Sequence, residues 1–300
     1  MTTAPHLFCF GFGFTARALA PRLLAQGWRV SGTGRSARSL ARIREAGARA
    51  HVFDRAHPLA NLAAALDGVT HVLSSVPPDE AGDPVLDCHG AELAKAGPLR
   101  WIGYLSTTGV YGDRDGALVD EDSPLNPTGE RGRRRLDAEA GWLRLHRQAG
   151  LAVHVFRLAG IYGPGRNAFT RLRAGEAQRI RKPGQIFSRI HVADIVTVLI
   201  ASMARPHPGR VYNLADDAPA PQSDVITYAA ELMGIDPPPE VPFEEADLSH
   251  MARSFYQDSK RVSNARIKAE LGIALAYPDY RTGLKALFEA GEAGEAGGAR

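Results

Sequence analysis

The sequence predicts an α/β fold, a doubly wound parallel sheet with a smaller, irregular C-terminal part. Short apolar strands alternate with helical segments, which is typical of parallel strands with helices on both faces of a sheet. The first strand leads into a glycine-rich turn that opens a helix. From about Gly165 the chain becomes rich in arginine and proline and loses a continuous helical apolar face. Together these three observations predict the fold class.

The first strand, turn and helix carry the most specific motif. The apolar run Leu7–Phe10 precedes a turn with the pattern G-x-G-x-x-A. Its first glycine permits a tight turn, its second lets the backbone approach a pyrophosphate, and its alanine, Ala16, permits close helix–strand packing. Free N–H groups at the start of the helix, with the positive end of its dipole, hold phosphates. The pattern therefore predicts a dinucleotide site, whose candidate residues are Gly11, Gly13, Phe14 and Thr15.

The second strand, Trp28–Thr33, indicates which dinucleotide binds. An NAD site places Asp or Glu near the end of this strand, where the carboxylate accepts a hydrogen bond from the ribose 2′-hydroxyl. Here Arg35 and Ser36 occupy the region, and no acidic residue occurs before Glu45. Arginine can hold a 2′-phosphate that a carboxylate would repel. We expect NADP, with NAD the less favoured cofactor. The alternative, in which Arg35 is only a solvated residue opening the next helix, stays open.

The later segments continue the alternation. Asp54, directly after the third strand, joins the cofactor-binding candidates. Asp83 is predicted to cap a helix that has Pro84 at its first position. The further strands are predicted at Arg49–Phe53, Val69–Val76, Leu99–Ser106, Leu151–Leu158 and Arg210–Leu214.

These elements predict a division of the chain. Residues 1–165, with 191–215 returning to them, form the dinucleotide-binding domain. Residues 166–190 and 216–288 form the substrate-binding part, and 289–300, rich in Gly, Ala and Glu, form a flexible tail.

Composition excludes several classes of function. The net charge of +3 is too small to indicate nucleic-acid binding. We therefore expect no nucleic-acid partner. No apolar run approaches the roughly 20 residues of a membrane helix, and no secretory signal is evident, so we also expect no membrane partner. The two cysteines, Cys9 and Cys88, are typical of a reducing cytoplasm, where we expect the protein to act. No metal site is predicted.

Several motifs occur in the order of one known family. Leu105–Gly112 resembles its S/T-x-x-V-Y-G segment, Arg157–Gly165 its R-x-x-x-x-Y-G-P-G element, Ile190–Asp194 its I-H-V-x-D, and Val211–Leu214 its V-Y-N-L strand. The chain therefore resembles the extended short-chain dehydrogenase/reductase family, the NAD-dependent epimerases and dehydratases. The resemblance implies a Rossmann-type sheet and a small-molecule substrate. Helix pairing in many relatives also implies a homodimer.

The chain departs from this family at its catalytic helix. Family members carry Tyr-x-x-x-Lys followed four residues later by Glu; here Glu139 is present, but Arg131 and Arg135 stand at the Tyr and Lys positions. A guanidinium does not release its proton in proteins, so Arg131 cannot be a general acid near neutrality. Thr107 matches the substrate-orienting Ser/Thr, and Arg135 can reach the nicotinamide ribose, so these two are the catalytic candidates. The chain resembles an atypical branch.

Two functions follow from this reading. The first is an NADP(H)-dependent oxidoreductase or epimerase/dehydratase acting on a hydroxyl or carbonyl of a small metabolite, phosphorylated or nucleotide-linked. The second is a non-catalytic protein that binds NADP(H) as a redox sensor. If turnover occurs, a substitute proton carrier is needed; the candidates are Tyr104, Tyr111, Tyr162, Asp113, Glu121 and His191. Packing or capping is the favoured role for the tyrosines and the histidine.

Overall fold

The protein is described here from a computed structural model, in which residues 4–97 and 99–294 are described. Its central sheet has the strand order β3-β2-β1-β4-β5-β7-β11, and the pairings from β3 to β5 are parallel. The strands are β1 (His6–Phe10), β2 (Arg29–Gly34), β3 (Arg49–Val52), β4 (His71–Ser74), β5 (Trp101–Thr107), β6 (Leu118–Val119), β7 (Val153–Leu158), β8 (Gly160–Tyr162), β9 (Arg179–Arg181), β10 (Arg189–His191), β11 (Val211–Leu214), β12 (Glu240–Pro242) and β13 (Arg261–Val262).

Helices alternate with these strands, as the sequence predicts. They are α1 (Phe14–Leu24), α2 (Ala37–Glu45), α3 (Leu62–Ala65), α4 (Pro84–Leu93), α5 (Glu130–Ala149), α6 (Ala168–Arg173), α7 (Val192–Ala204), α8 (Gln222–Met233), α9 (His250–Phe255), α10 (Ala265–Leu271) and α11 (Tyr280–Glu289). The α/β fold with a Rossmann-type sheet is confirmed, and each predicted strand overlaps an observed one.

The sequence signals for helix α4 act as expected. Asp83 is its N-cap, and the carboxylate accepts hydrogen bonds from the main-chain N–H groups of Val85 and Leu86, with Pro84 at the first helical position. The other carboxylate oxygen accepts from the Trp142 indole at 3.0 Å, so the cap also ties α4 to α5. Trp142 is fully buried and stacks on Tyr104 with the ring centroids 5.8 Å apart.

The described residues form two compact units. The first comprises those within Met1–Val110, Glu130–Arg157 and Ile195–Tyr212. Its core lies between the sheet and its helices, where the buried residues include Phe8, Phe10 and Trp142. The second comprises those within Tyr111–Gly129, Leu158–Asp194 and Asn213–Arg300.

The second unit is built from short elements. Three two-stranded pairings, β8 with β10, β9 with β12 and β6 with β13, occur in it. Its larger core packs Phe169 and Ile226 against Leu284 of α11. Residues 111–129, 158–165, 191–194 and 213–215, which the prediction placed in the dinucleotide-binding domain, group with the second unit, and the cofactor and substrate roles of the two units stay predictions.

The predicted tail is described only as far as residue 294. Glu292 accepts hydrogen bonds from the Gly165 N–H and the Asn167 amide, and Ala293 is buried. Residues 295–300 lie outside the described residues. Among the described helices, none is long and apolar enough to span a membrane.

Buried histidines make stability sensitive to acid. Burial lowers the pKa of His6, His71 and His154, all in the first unit, from 6.5 to about 4. His154 is suited to its neutral form, because Nδ1 donates to the Ile102 carbonyl while Nε2 accepts from the His207 N–H. Between pH 6.5 and 4 the unfolded chain binds more protons than the folded one, so stability falls as pH falls through this window.

We therefore expect these three histidines to add almost no pH dependence to the free energy of unfolding above pH 7. From pH 6.5 to 5 the free energy of unfolding should decrease steadily. Urea denaturation at several pH values measures this slope. The variant His154→Gln should have a shallower slope. The exposed His250 offers a matched control, since His250→Gln should keep the wild-type slope. Equal slopes for His154→Gln and wild type would contradict this reading.

Candidate active site

The glycine-rich turn is held in place by two hydroxyl side chains. Gly11 has φ +80°, a conformation that L side chains rarely adopt, and a Cβ there would lie 2.8 Å from the Ser75 hydroxyl. The Gly11 N–H donates to Thr33 Oγ1 at 2.8 Å, and the Ser75 hydroxyl donates to the Phe10 and Gly11 carbonyls. The turn is therefore fixed to β2 and to the segment after β4.

Gly13 is the second glycine of the motif and the N-cap of α1. Among the described residues no side chain caps the helix, and no acidic residue occurs in its first turn, so N–H groups at its start are not satisfied from within the helix. A Cβ at Gly13 would meet no atom of the described residues within 4 Å. Phe14 and Thr15 form the first turn, where Thr15 is buried. An uncapped helix start beside open space is suited to a pyrophosphate.

Arg35 and Ser36 lie where β2 ends and α2 begins. Both are exposed, and within the described part of the chain Arg35 forms no hydrogen bond or ion pair. The hydroxyl of Ser36 caps α2 by accepting from the Ser39 N–H, and Ser39 completes a capping box. The Ser36 side chain is thus already used by its own helix, whereas the guanidinium of Arg35 is available to a ligand.

The end of β2 is also packed closely from two sides. A Cβ at Gly32 would lie 2.4 Å from the Phe12 ring, and one at Gly34 would lie 2.5 Å from the Ser39 hydroxyl. Phe12 and Ser39 therefore occupy the space that side chains at these two glycines would need. Asp54, the other cofactor candidate, lies after β3 and accepts from the N–H and ring Nδ1 of His57, which lowers the pKa of its carboxyl.

Thr107 and Arg135 lie on adjacent elements of the first unit. Thr107 ends β5, and its Oγ1 accepts from the Gly109 N–H at 3.1 Å. The half-buried Arg135, on α5, donates to the Leu105 carbonyl at 2.6 Å, two residues before Thr107. Its guanidinium carbon is 6.0 Å from the centre of the Tyr104 ring. Arg131, one turn earlier on the helix, is exposed.

A buried ion pair supports these residues. Glu139 and Arg157 side chains are 2% and 4% exposed, and Arg157 Nη2 lies 2.8 Å from a Glu139 carboxylate oxygen. The Ser106 hydroxyl donates to the same carboxylate at 2.5 Å. The contacts join α5 to β5 and β7, and on β5 they are made by Ser106, the residue before Thr107. The sequence motifs contained all three residues but did not indicate that they meet.

A second charged cluster was missed by the sequence analysis. Arg55, after β3, makes a bidentate ion pair with Asp79, after β4, at 2.8 Å for both bonds, and contacts Asp87 of α4 at 2.8 Å. The hydrogen bonds from Arg55 lower the pKa of the Asp79 carboxyl. Both segments follow parallel strands, whose carboxyl ends share one edge of the sheet, and that position was the available signal.

The tyrosines among the substitute proton carriers are held in structural contacts. Burial raises the pKa of Tyr104, and the buried Tyr111 donates to Asn213 at 2.7 Å. Tyr162 donates to the Asp279 carbonyl, and burial raises its pKa strongly.

The remaining three candidates are also engaged, all in the second unit. Glu121 accepts from the Asn213 N–H, and Asp113 accepts from the Ser259 N–H. His191 accepts from the Ala193 N–H at the start of α7, and burial lowers its pKa to about 4. These contacts favour packing and capping over proton transfer.

The comparisons with known proteins agree with this fold and turn. The sequence model of the NAD-dependent epimerase/dehydratase family matches residues 11–215, beginning at the first glycine of the motif. The chain belongs to this family. The family name implies a nicotinamide dinucleotide, and the uncapped start of α1 with open space at Gly13 fits such a group.

Individual relatives extend the comparison over nearly the whole chain. Protein YeeZ of Escherichia coli is 29% identical over 279 residues, 90% of this chain and 95% of that protein. A conserved protein of unknown function from Silicibacter pomeroyi is 54% identical with a TM-score of 0.88, covering 96% of this chain and 100% of that one. The dTDP-glucose 4,6-dehydratase of Bacillus anthracis, solved with NAD, is 18% identical with a TM-score of 0.78 over 97% and 98% of the two chains, and shares the fold.

Replacing Gly13 tests the turn. We expect Gly13→Val to abolish dinucleotide binding while the protein stays folded, because the side chain enters open space that the pyrophosphate would occupy. Fluorescence titration with NADPH and a thermal melt measure the two effects. The matched variant Gly11→Ala should instead lower the melting temperature. Normal cofactor binding by a folded Gly13→Val protein would show that the turn does not hold the phosphates.

Replacing Arg157 tests the buried pair. Arg157→Leu leaves the Glu139 charge buried without its partner, and we expect the free energy of unfolding to fall by about 3–5 kcal/mol. Chemical denaturation measures the loss. The exposed pair of Arg133 with Glu130 is the control, because Arg133→Leu should change stability little. A small effect at Arg157 would mean that the pair does not fix α5.

Proposed function

We propose that the protein is an NADP(H)-dependent oxidoreductase within this family, acting on the carbonyl or hydroxyl of a small metabolite. The observation that carries the proposal is Arg35, a cation at the end of β2 that is exposed and has no partner among the described residues. When a dinucleotide is bound at the glycine-rich turn, a residue at this strand end contacts the 2′ position of its ribose. A guanidinium binds a phosphate there through bidentate hydrogen bonds, and no carboxylate stands at the end of β2 to favour NAD.

The neighbouring residues support this choice of cofactor. Asp54, the carboxylate after the next strand, is engaged by His57. The start of α2 adds the positive end of a helix dipole beside Arg35, though the hydroxyl of Ser36 caps it. The charge around the strand end therefore favours the more negative dinucleotide.

The chemistry that the residues support is polarisation of a carbonyl. When bound, the nicotinamide supplies or accepts a hydride. Thr107 Oγ1 accepts from the Gly109 N–H, which leaves its own O–H to donate to a substrate oxygen. Arg135 donates to the Leu105 carbonyl and the Tyr104 hydroxyl from Nη1. Its positive charge can therefore also stabilise an oxyanion that forms near the end of β5. Because Arg131 cannot release a proton, solvent protonates the product alkoxide.

One observation favours a second function. An arginine at the tyrosine position of the family removes the usual general acid, and the alternative carriers are engaged in structural contacts. A protein that binds NADP(H) as a redox sensor would tolerate this loss. Absorbance of bound NADPH at the nicotinamide band, followed with a panel of carbonyl compounds, separates the two functions, since a sensor leaves the band unchanged.

The cofactor preference is tested at Arg35. We expect Arg35→Ala to weaken NADPH binding by about 1–3 kcal/mol, the range for a hydrogen bond to a charged group, and to leave NADH binding nearly unchanged. Titration of both cofactors against wild type and variant measures this. Arg44→Ala, which removes an exposed arginine near the other end of α2, should have no effect. Equal affinity of the wild-type protein for NADPH and NADH would refute the preference.

A further inference from the structure

The ion-paired Arg55 lies where two loops meet across the carboxyl edge of the central sheet. Arg55 follows β3 and its partner Asp79 follows β4, and the strands β2 and β1 lie between β3 and β4 in the sheet. Neighbouring strands are about 4.8 Å apart, so β3 and β4 are separated by about 14 Å. An arginine side chain is shorter than that span. The two loops therefore extend toward each other, and the ion pair joins them across the ends of β1 and β2.

Other contacts fix each of these loops. The Leu59 N–H, in the loop after β3, donates to Nε2 of the buried His89 on α4 at 3.1 Å. In the loop after β4, the Asp79 carboxylate accepts a hydrogen bond from the Ala81 N–H at 2.9 Å. Arg55 therefore joins two segments that are also held by bonds of their own.

The ion-pair contacts hold the guanidinium of Arg55 in one plane. Its Nε and Nη2 donate to the two carboxylate oxygens of Asp79, and Nη2 also lies 2.8 Å from an oxygen of Asp87. The N–H groups of a guanidinium lie in its plane, so these contacts leave its two faces uncovered. The Arg55 side chain is 33% exposed, and no aromatic ring of the described residues lies over it. Arg55 thus presents a planar surface of fixed orientation that solvent can reach.

The charge of this cluster disfavours a phosphate as the group that Arg55 contacts. Two carboxylates face one guanidinium, so the three side chains together are negative. Hydrogen bonds from Arg55 lower the pKa of the Asp79 carboxyl, which therefore stays ionised near neutral pH. A planar, uncharged ring suits the surface better, because guanidinium groups stack on aromatic rings and on nucleic-acid bases.

The adenine of a dinucleotide is a ring that would reach this surface. A pyrophosphate at the glycine-rich turn lies after β1, and the ribose that carries the 2′ position lies at the end of β2. The adenine is bonded to that ribose, so it lies at the same edge of the sheet, close to the ends of β2 and β3. The Phe53 N–H donates to the Gly34 carbonyl at 3.2 Å, which joins these two strand ends just before Arg55.

We propose that the adenine base stacks on the guanidinium of Arg55 and that Asp79 and Asp87 hold this surface in position. The inference rests on the proposed function only in requiring a dinucleotide at the glycine-rich turn. It adds a contact that is independent of the 2′ position. Arg35 distinguishes NADPH from NADH, whereas Arg55 contacts the part that the two dinucleotides share.

The test is titration of the full chain with NADPH, NADH and ADP-ribose. We expect Arg55→Ala to weaken binding of all three by the same factor, about tenfold, which is within the range for removing a side chain on which a base stacks. The ion pairs are partly exposed, so the melting temperature should change little. Arg49 is an exposed arginine at the other end of β3, and the matched control Arg49→Ala should leave the three affinities unchanged.

Two further variants separate stacking from charge. Arg55→Lys keeps the positive charge and loses the planar group, so its affinities should be as low as those of Arg55→Ala. Asp79→Asn removes the bidentate partner and should weaken binding about two- to fivefold, because the guanidinium is held less firmly. Acrylamide quenching of bound etheno-ADP, in which the adenine is fluorescent, reports on the base itself. The bound base should be protected in the wild-type protein and quenched more strongly in Arg55→Ala and Arg55→Lys.

Three results overturn the proposal: wild-type affinities in Arg55→Lys, equal quenching of bound etheno-ADP in wild type and Arg55→Ala, or absence of ADP-ribose binding by the wild-type protein. Unchanged binding in Asp79→Asn refutes the role of the carboxylates.

Failure of the proposed function gives a different result. Equal wild-type affinities for NADPH and NADH refute the cofactor preference, and a common loss in Arg55→Ala still supports the adenine contact. A loss in Arg55→Ala that is confined to NADPH refutes the adenine contact and leaves the preference in place.

Discussion

The buried ion pair between Glu139 and Arg157 is the constraint on which the candidate active site depends. Two ions taken out of water are costly unless each finds a partner with good geometry, and here the Ser106 hydroxyl adds a third contact to the carboxylate. The three residues belong to α5, β7 and β5, so the pair sets the rotation of the helix on the sheet. Residues four apart on a helix lie on one face. Fixing Glu139 therefore directs Arg135, one turn before it, toward the end of β5.

This geometry shows which contacts of α5 are independent of Arg131 and Arg135. The supporting glutamate and its arginine are retained, and the strand end with Thr107 is built on them. Arg135 and Arg131 lie on the helix face that the ion pair orients, and the exposure of the side chains increases from Glu139 to Arg131. The half-buried Arg135 is accommodated there because its guanidinium donates to the Leu105 carbonyl, whereas Arg131 is exposed. The contacts that hold α5 on the sheet therefore do not depend on which residues stand at positions 131 and 135.

Local signals in the sequence predicted the fold well. The strand before Gly11, the Asp83 cap with Pro84, and the alternation of strands and helices depend on neighbours in the chain, and each of these was confirmed. Long-range pairs were not predicted, since nothing near Arg55 in the chain indicates Asp79 or Asp87. The Ser36 hydroxyl was predicted to bind the cofactor, but it forms the capping box of α2 with Ser39. The Ser-x-x-Ser spacing in the sequence was the signal for this cap. The irregular second unit was recognised, but the pairing of its short strands joins segments that are far apart in sequence.

The two glycines at the end of β2 have a consequence for how the protein can diverge. Phe12 and Ser39 fill the space above Gly32 and Gly34, so a larger residue at either position collides with a neighbour that is itself part of the nucleotide turn or of the cap of α2. A single substitution on the strand is therefore disfavoured, and a change there requires a compensating one in Phe12 or Ser39. Position 35, directly after the strand, is exposed, so a single substitution there does not require a second one in a packed neighbour.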